Sequence, residues 1–110
     1  MKKVLIKTRE KSYILYESDI LYCKASGAYS IMYLKDGRNV VTSMNLLKLS
    51  SNIERFSAIY RVGRSYLVNI NYVMSINHAK KNLELYSDVI VPYSIPFKEL
   101  EEIFDNIVHK

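Results

Sequence analysis

Two strand-forming runs, "AYSIMYL" (Ala28 to Leu34) and "NVVT" (Asn39 to Thr42), stand on either side of Asp36-Gly37. Asp-Gly supplies the positive-φ backbone of a tight hairpin turn, so the two runs are predicted to pair antiparallel. This feature constrains the fold most, because the runs around it share its character. Val4 to Lys7 reads as a short strand, "SYILY" (Ser12 to Tyr16) as its partner, and "DILYCKA" (Asp19 to Ala25) follows the polar Glu17-Ser18. Strand character resumes at "FSAIYRV" and continues through "SYLVNI", "YVMSIN", "LELY" and "VIVPY", with turns near Lys80-Lys81-Asn82 and Ser87-Asp88. Short strands cut by turn signals imply a small, mostly β domain. Pro92 suits an edge strand or a strand end, since it has no N–H for a ladder. Ten tyrosines, against three Phe and no Trp, fit the same picture. Tyrosine favours strands and buries its ring while its hydroxyl stays wet.

Two stretches leave this period. Ser43 is the expected N-cap of a short mid-chain helix through about Ile53, with Leu46, Leu47, Leu49 and Ile53 on its apolar side. A helix that short depends on packing for its stability. Near the C-terminus, Phe97, Leu100, Ile103, Phe104, Ile107 and Val108 form one helical stripe with acids on the other face. Pro96 suits its first turn, Ser94 is the candidate cap, and Glu99, Glu101 and Glu102 lie where the helix dipole favours negative charge. The stripe implies packing against the body, with a partner-binding helix as the alternative. A length of 110 residues suits one domain, residues 1–110.

Catalysis finds little support in these residues. Cys23 is the single cysteine, so an internal disulfide and a Cys-based zinc site are both excluded. It lies in an apolar strand with no activating base beside it and reads as an inert core thiol. His78 and His109 are far apart and show no metal-ligand spacing, and three glycines in all leave no phosphate-cradling loop. His78 reads as a surface residue, and Asp36 and Asp88 as turn residues. No metal or cofactor is expected. "MKKVLIKT" has only three apolar residues before Lys7, too few for a secretory signal, and no apolar run is long enough to span a bilayer. The expectation is a cytoplasmic protein without a membrane partner.

Binding is better supported. Net charge is +5, and its distribution is uneven. Residues 1–98 hold fifteen Lys/Arg against seven Asp/Glu, whereas residues 99–110 hold Lys110 against Glu99, Glu101, Glu102 and Asp105. A basic body suggests a polyanion, because Lys and Arg gain from counterion release on phosphate chains. The alternative is an ordinary soluble protein with spare lysines. Lys24 beside "SGAY", Arg61 with Arg64, and Lys80-Lys81 suit phosphate and base contacts. Exposed tyrosines could instead stack on single-stranded bases. Composition leaves duplex DNA and RNA both open.

"RVGRSYLVNINYV" (Arg61 to Val73) resembles the signature of the LytTR domain, the DNA-binding module of many bacterial response regulators. Arg61, Arg64, Ser65, Tyr66, Val68, Asn69, Tyr72 and Val73 fit that pattern in order. "DILYCKASGAYSIMYLKDG" is similar to the family's opening, "SMNLLKLS" to its short Leu-rich helix and "IVPYS" to its closing strand. The resemblance implies an elongated antiparallel β fold of about ten short strands, with a short mid-chain helix and a C-terminal amphipathic helix. It further implies sequence-specific binding to double-stranded DNA by a transcriptional regulator of a two-component system. Loops would enter successive grooves, and two copies would meet on direct repeats as a homodimer on DNA. The chain is either one piece of a two-component regulator, with a receiver domain outside it, or a regulator that stands alone.

The family's three contact positions fall on Tyr29 with Lys24 and Ser30 nearby, on Arg64 preceded by Gly63, and just after Ser94, around Ile95 and Pro96. Many members carry His where Gly63 stands and Arg where Pro96 stands. The second departure removes a bidentate donor, whose charge Lys98 can restore as a phosphate contact. The expected DNA-binding set is therefore Lys24, Tyr29, Ser30, Arg61, Gly63, Arg64, Lys80, Lys81, Ser94 and Lys98. Arg64 is the expected base reader, Arg61 a structural or phosphate contact, and Tyr29 either a contact or a core ring. Asn69 is expected to serve backbone groups inside the fold. The rival reading is a β-module that binds RNA or a protein partner, its DNA-reading residues having drifted.

Overall fold

The computed structural model describes residues 2–108, with side chains as far as Asn106, and arranges them as ten strands in three antiparallel sheets. His109, read above as a poor catalytic partner, and the side chains of Ile107 and Val108 lie outside the described part. Strands β1 (Lys3–Lys7) and β2 (Ser12–Tyr16) pair with each other alone. A central sheet runs β5-β4-β3-β7-β6 and comprises β3 (Ile20–Ser26), β4 (Tyr29–Leu34), β5 (Asn39–Thr42), β6 (Ile59–Arg61) and β7 (Tyr66–Asn69). The third sheet runs β10-β9-β8 and comprises β8 (Val73–Asn77), β9 (Asn82–Leu85) and β10 (Val89–Pro92). Helix α1 (Leu46–Asn52) follows β5, and helix α2 (Phe97–Val108) closes the chain.

The Asp-Gly hairpin forms between β4 and β5 as its sequence demands. Gly37 has φ of 92° and donates to the Leu34 carbonyl at 3.0 Å. The Asp36 carboxylate accepts from both the Arg38 amide (3.0 Å) and its guanidinium (2.7 Å), which lowers the carboxyl pKa. Pro92 ends β10 at the edge of its sheet, as its missing N–H requires.

Alternation along the central strands divides the apolar side chains between two cores, one on each face of the sheet. Cys23, Met32, Leu34, Val40 and Leu67 face α1 and the β1–β2 hairpin, where Ile6, Leu15, Leu49, Ile53 and Phe56 complete the first core. Val68 and the half-buried Tyr22 and Tyr66 face the third sheet and α2, where Leu83, Leu85, Val91 and Leu100 complete the second. A bulge between Ile20 and Tyr22 shifts the register of β3 against β4. Burying one such aliphatic side chain contributes about 1.5–3 kcal/mol. Both helices and both outer sheets are held in this way.

Three local expectations change. Asn45, not Ser43, caps α1: its side chain accepts from the Lys48 amide at 2.9 Å, while Ser43 lies in the bend that brings the chain off β5. "FSAIYRV" is strand only from Ile59 to Arg61, because Phe56 is still turning off α1 and its amide bonds the Ile53 carbonyl at 2.9 Å. Pro96, not Ser94, stands at the start of α2. Its carbonyl accepts from Leu100 at 3.1 Å, whereas the Ser94 amide is engaged with Val62. Asn69 does serve the backbone. Fully buried, it donates to the carbonyls of Glu17 (3.0 Å) and Ile20 (2.9 Å) and accepts from the Asn71 amide (3.1 Å).

Candidate nucleic-acid interface

Four connecting segments are joined by main-chain hydrogen bonds into one row. The Ala25 amide, beside the β3–β4 turn, donates to the Ser65 carbonyl in the β6–β7 loop at 2.8 Å. In that loop, the Val62 carbonyl accepts from both Ser94 (2.9 Å) and Ile95 (3.2 Å) of the linker between β10 and α2. The Tyr93 amide of the same linker donates to Lys81 in the β8–β9 turn at 3.0 Å. Gly27 (φ 61°) and Lys81 (φ 55°) take the left-handed backbone these tight turns need. Backbone pairing, independent of side-chain identity, thus sets the spacing of the loops.

Charge concentrates on this row. Residues 24–30, 61–66, 78–81 and 93–98 carry six cations, Lys24, Arg61, Arg64, Lys80, Lys81 and Lys98, and no carboxylate. The remainder holds ten Lys/Arg and eleven Asp/Glu, so the positive excess of the chain resides in the loops. All six cations are exposed. Exposed cations build the field that attracts phosphate, least so at Lys98, which Glu99, Glu101 and Glu102 of α2 follow.

The side chains divide by what holds them. Arg61 is a clamp: its Nε donates to the Gly63 carbonyl (3.1 Å) and a terminal nitrogen donates to the Arg64 carbonyl (2.8 Å). Two of its five donors are thereby spent on shaping the loop, and the rest face outward. Arg64, at the tip, makes no side-chain hydrogen bond among the described residues and keeps its whole fork free. Tyr29 is 54% exposed, so its ring is no core ring. Lys24 projects from β3 with its ammonium 6.0 Å from the centre of the Tyr66 ring.

Ser30 departs from expectation. It is fully buried, sharing the inward phase of β4 with Met32 and Leu34, and pairs across to the buried Thr42. Its Oγ meets no hydrogen-bond partner, and no route leads from it to a ligand on the surface. Ser30 therefore leaves the contact set. Gly63 and Ser94 stand against each other, Ser94 exposed and Gly63 partly covered. A Cβ built on Gly63 would lie 2.8 Å from the Ser94 Oγ and 3.4 Å from the Ser94 amide, so the linker passes close beside the loop.

His78 is exposed, as its place at the polar end of a strand implies. The structure places its ring 4.4 Å from that of Phe97, lining with Lys81, Tyr93 and Pro96 an open cavity of about 530 Å³ at the end of the row. Cys23 sits in the first core, and burial pushes its thiol pKa up to about 12, far from a nucleophile's range. Among the described residues no cluster of His, Cys, Asp and Glu could hold a metal ion. No helix among them is long and apolar enough to cross a membrane.

A β scaffold presenting cationic loops, rather than a recognition helix, defines the class. Within it, this chain belongs to the LytTr DNA-binding domain family, whose family model matches residues 10–104. Among solved structures it is similar to the LytTr DNA-binding domain of a Bacillus cereus protein described as a methyl-accepting/DNA response regulator. The two share 18% identity and a TM-score of 0.74, over 94% of this chain and 97% of that one. No curated protein matches the chain. The family is a DNA-binding one, which accords with the charge of the loop row.

Proposed function

We propose that this chain is the sequence-specific duplex-DNA-binding domain of a bacterial transcriptional regulator, acting in the cytoplasm. The loop row enters adjacent grooves of the double helix. Lys24, Lys80, Lys81 and Lys98 meet phosphates and set the register. Arg64 reads a base edge through its fork, most favourably the O6 and N7 of guanine. Tyr29 contacts the groove wall, and Arg61 holds the Arg64 loop in its presenting shape while its outward donors reach a phosphate. Gly63 and Ser94 act by bringing the linker close. Two copies occupy direct repeats.

One observation carries this reading: six exposed cations at or beside loops tied together by main-chain bonds, with no carboxylate in residues 24–30, 61–66, 78–81 and 93–98. Selection of bound duplexes from a random pool tests it. An enriched motif recurring at about one helical turn, roughly 10–10.5 base pairs, is the expected result. Failure to enrich any sequence at low salt would replace it with the RNA- or protein-binding alternative.

A further inference from the structure

The two faces of the molecule that do not carry the loop row are opposite in charge. On the first-core side, the outward face of the β1–β2 hairpin aligns Leu5 with Ile14, Lys3 with Tyr16 and Lys7 with Ser12. Leu5 is 53% exposed and Ile14 63%, an uncovered apolar pair on a sheet with no further strand. Beside them runs a shallow groove of about 550 Å³, rimmed by Lys3, Asn52 and Arg55. Residues 2–16 hold five Lys/Arg and a single acid, Glu10.

On the second-core side, α2 exposes Glu99, Glu101, Glu102 and Asp105 beside the half-buried Ile103 and Phe104. Among the described residues the one ion pair is Arg38–Asp36, so neither the hairpin cations nor the α2 carboxylates are neutralised within the chain. Each face offers what the other lacks. One gives cations around an apolar pair, the other carboxylates beside apolar edges.

We infer that these faces are the two halves of a head-to-tail contact between copies of this chain, the β1–β2 hairpin of one copy seating against α2 of the next. Because the halves differ, the contact is heterologous and repeats in one direction rather than closing as a two-fold dimer. The hairpin and α2 cover opposite faces of the central sheet, while the loop row lies at the ends of its strands. Copies stacked across the sheet therefore keep their loop rows on one side. The molecule measures 41 × 31 × 25 Å, extents that bracket the roughly 34 Å of one turn of B-DNA. A hairpin face against one helix is a small contact, weak alone, salt-sensitive and steered by charge.

The test is sedimentation velocity of the purified chain without DNA, at low and at high salt. Wild type is expected to self-associate at low salt and to dissociate at high salt. Lys3→Glu with Lys7→Glu, and separately Glu101→Lys with Glu102→Lys, should each weaken association at least tenfold. All four positions are exposed, so circular dichroism should show both variants folded. An equimolar mixture of the two variants restores opposite charges across both possible contacts and should associate again. A wild-type chain that stays monomeric at low salt, association that survives both reversals, or a mixture that remains monomeric would each overturn the proposal. No nucleic acid is present, so the outcome is separable from that of the DNA selection.

Discussion

Arg64 and Arg61 stand three residues apart and do different work. Arg61 spends donors on the loop backbone, and Arg64 spends none within the described chain. Replacing Arg64 by Ala should therefore leave the fold intact and lower affinity for the selected duplex by about 1–3 kcal/mol, with a much smaller loss on random DNA. Competition binding measures both, and equal losses would make Arg64 a phosphate contact. Gly63 invites a different substitution. Gly63→Ala pushes a methyl against the Oγ of the exposed, rotatable Ser94 side chain and should cost at most about 1 kcal/mol of stability as that side chain shifts. Adding Ser94→Ala removes the obstructing atom and should recover much of that loss. Strictly additive effects in a denaturation double-mutant cycle would refute the close contact. Ser30, expected at the DNA surface, is instead buried because it alternates with Tyr29 and keeps step with Met32 and Leu34, a phase that β4 carries in its sequence.

Elements were legible where their chemistry is local. Asp36-Gly37 sets its own turn, and the stripe from Phe97 to Phe104 defines α2 wherever that helix packs. What could not be read was the grouping of strands into sheets. Around β7, where Leu67 and Val68 fall in different cores, both faces of the central sheet are covered, so that strand lacks the clean polar alternation that marks an outer strand such as β5. Asn69 shows how far the tie reaches, since its side chain joins the end of β7 to carbonyls about fifty residues earlier in the chain. Asn69→Ala should cost about 1–3 kcal/mol by leaving buried carbonyls without a donor, measured as the shift in the urea midpoint. A change under half a kilocalorie would mean that water replaces the amide.

Across the whole molecule, charge separates by position: cations on the loop row, near-neutrality in the remainder. This pattern was only partly readable, because the total of +5 is visible in the sequence while the meeting of residues 24–30, 61–66, 78–81 and 93–98 depends on long-range backbone bonds. Lys80→Ala with Lys81→Ala should lower the slope of log affinity against log salt by about one to two units, each phosphate contact contributing roughly 0.9. An unchanged slope would place the β8–β9 turn away from the duplex. The stitching of the loops through Val62, Ser65 and Lys81 carbonyls has a consequence for how such a domain diversifies. Main-chain partners tolerate almost any side chain, so the residues at the loop tips can be exchanged while the frame that aims them stays put. A lineage of these proteins can then acquire new target sequences by mutation at a few exposed positions, without first having to re-evolve its fold.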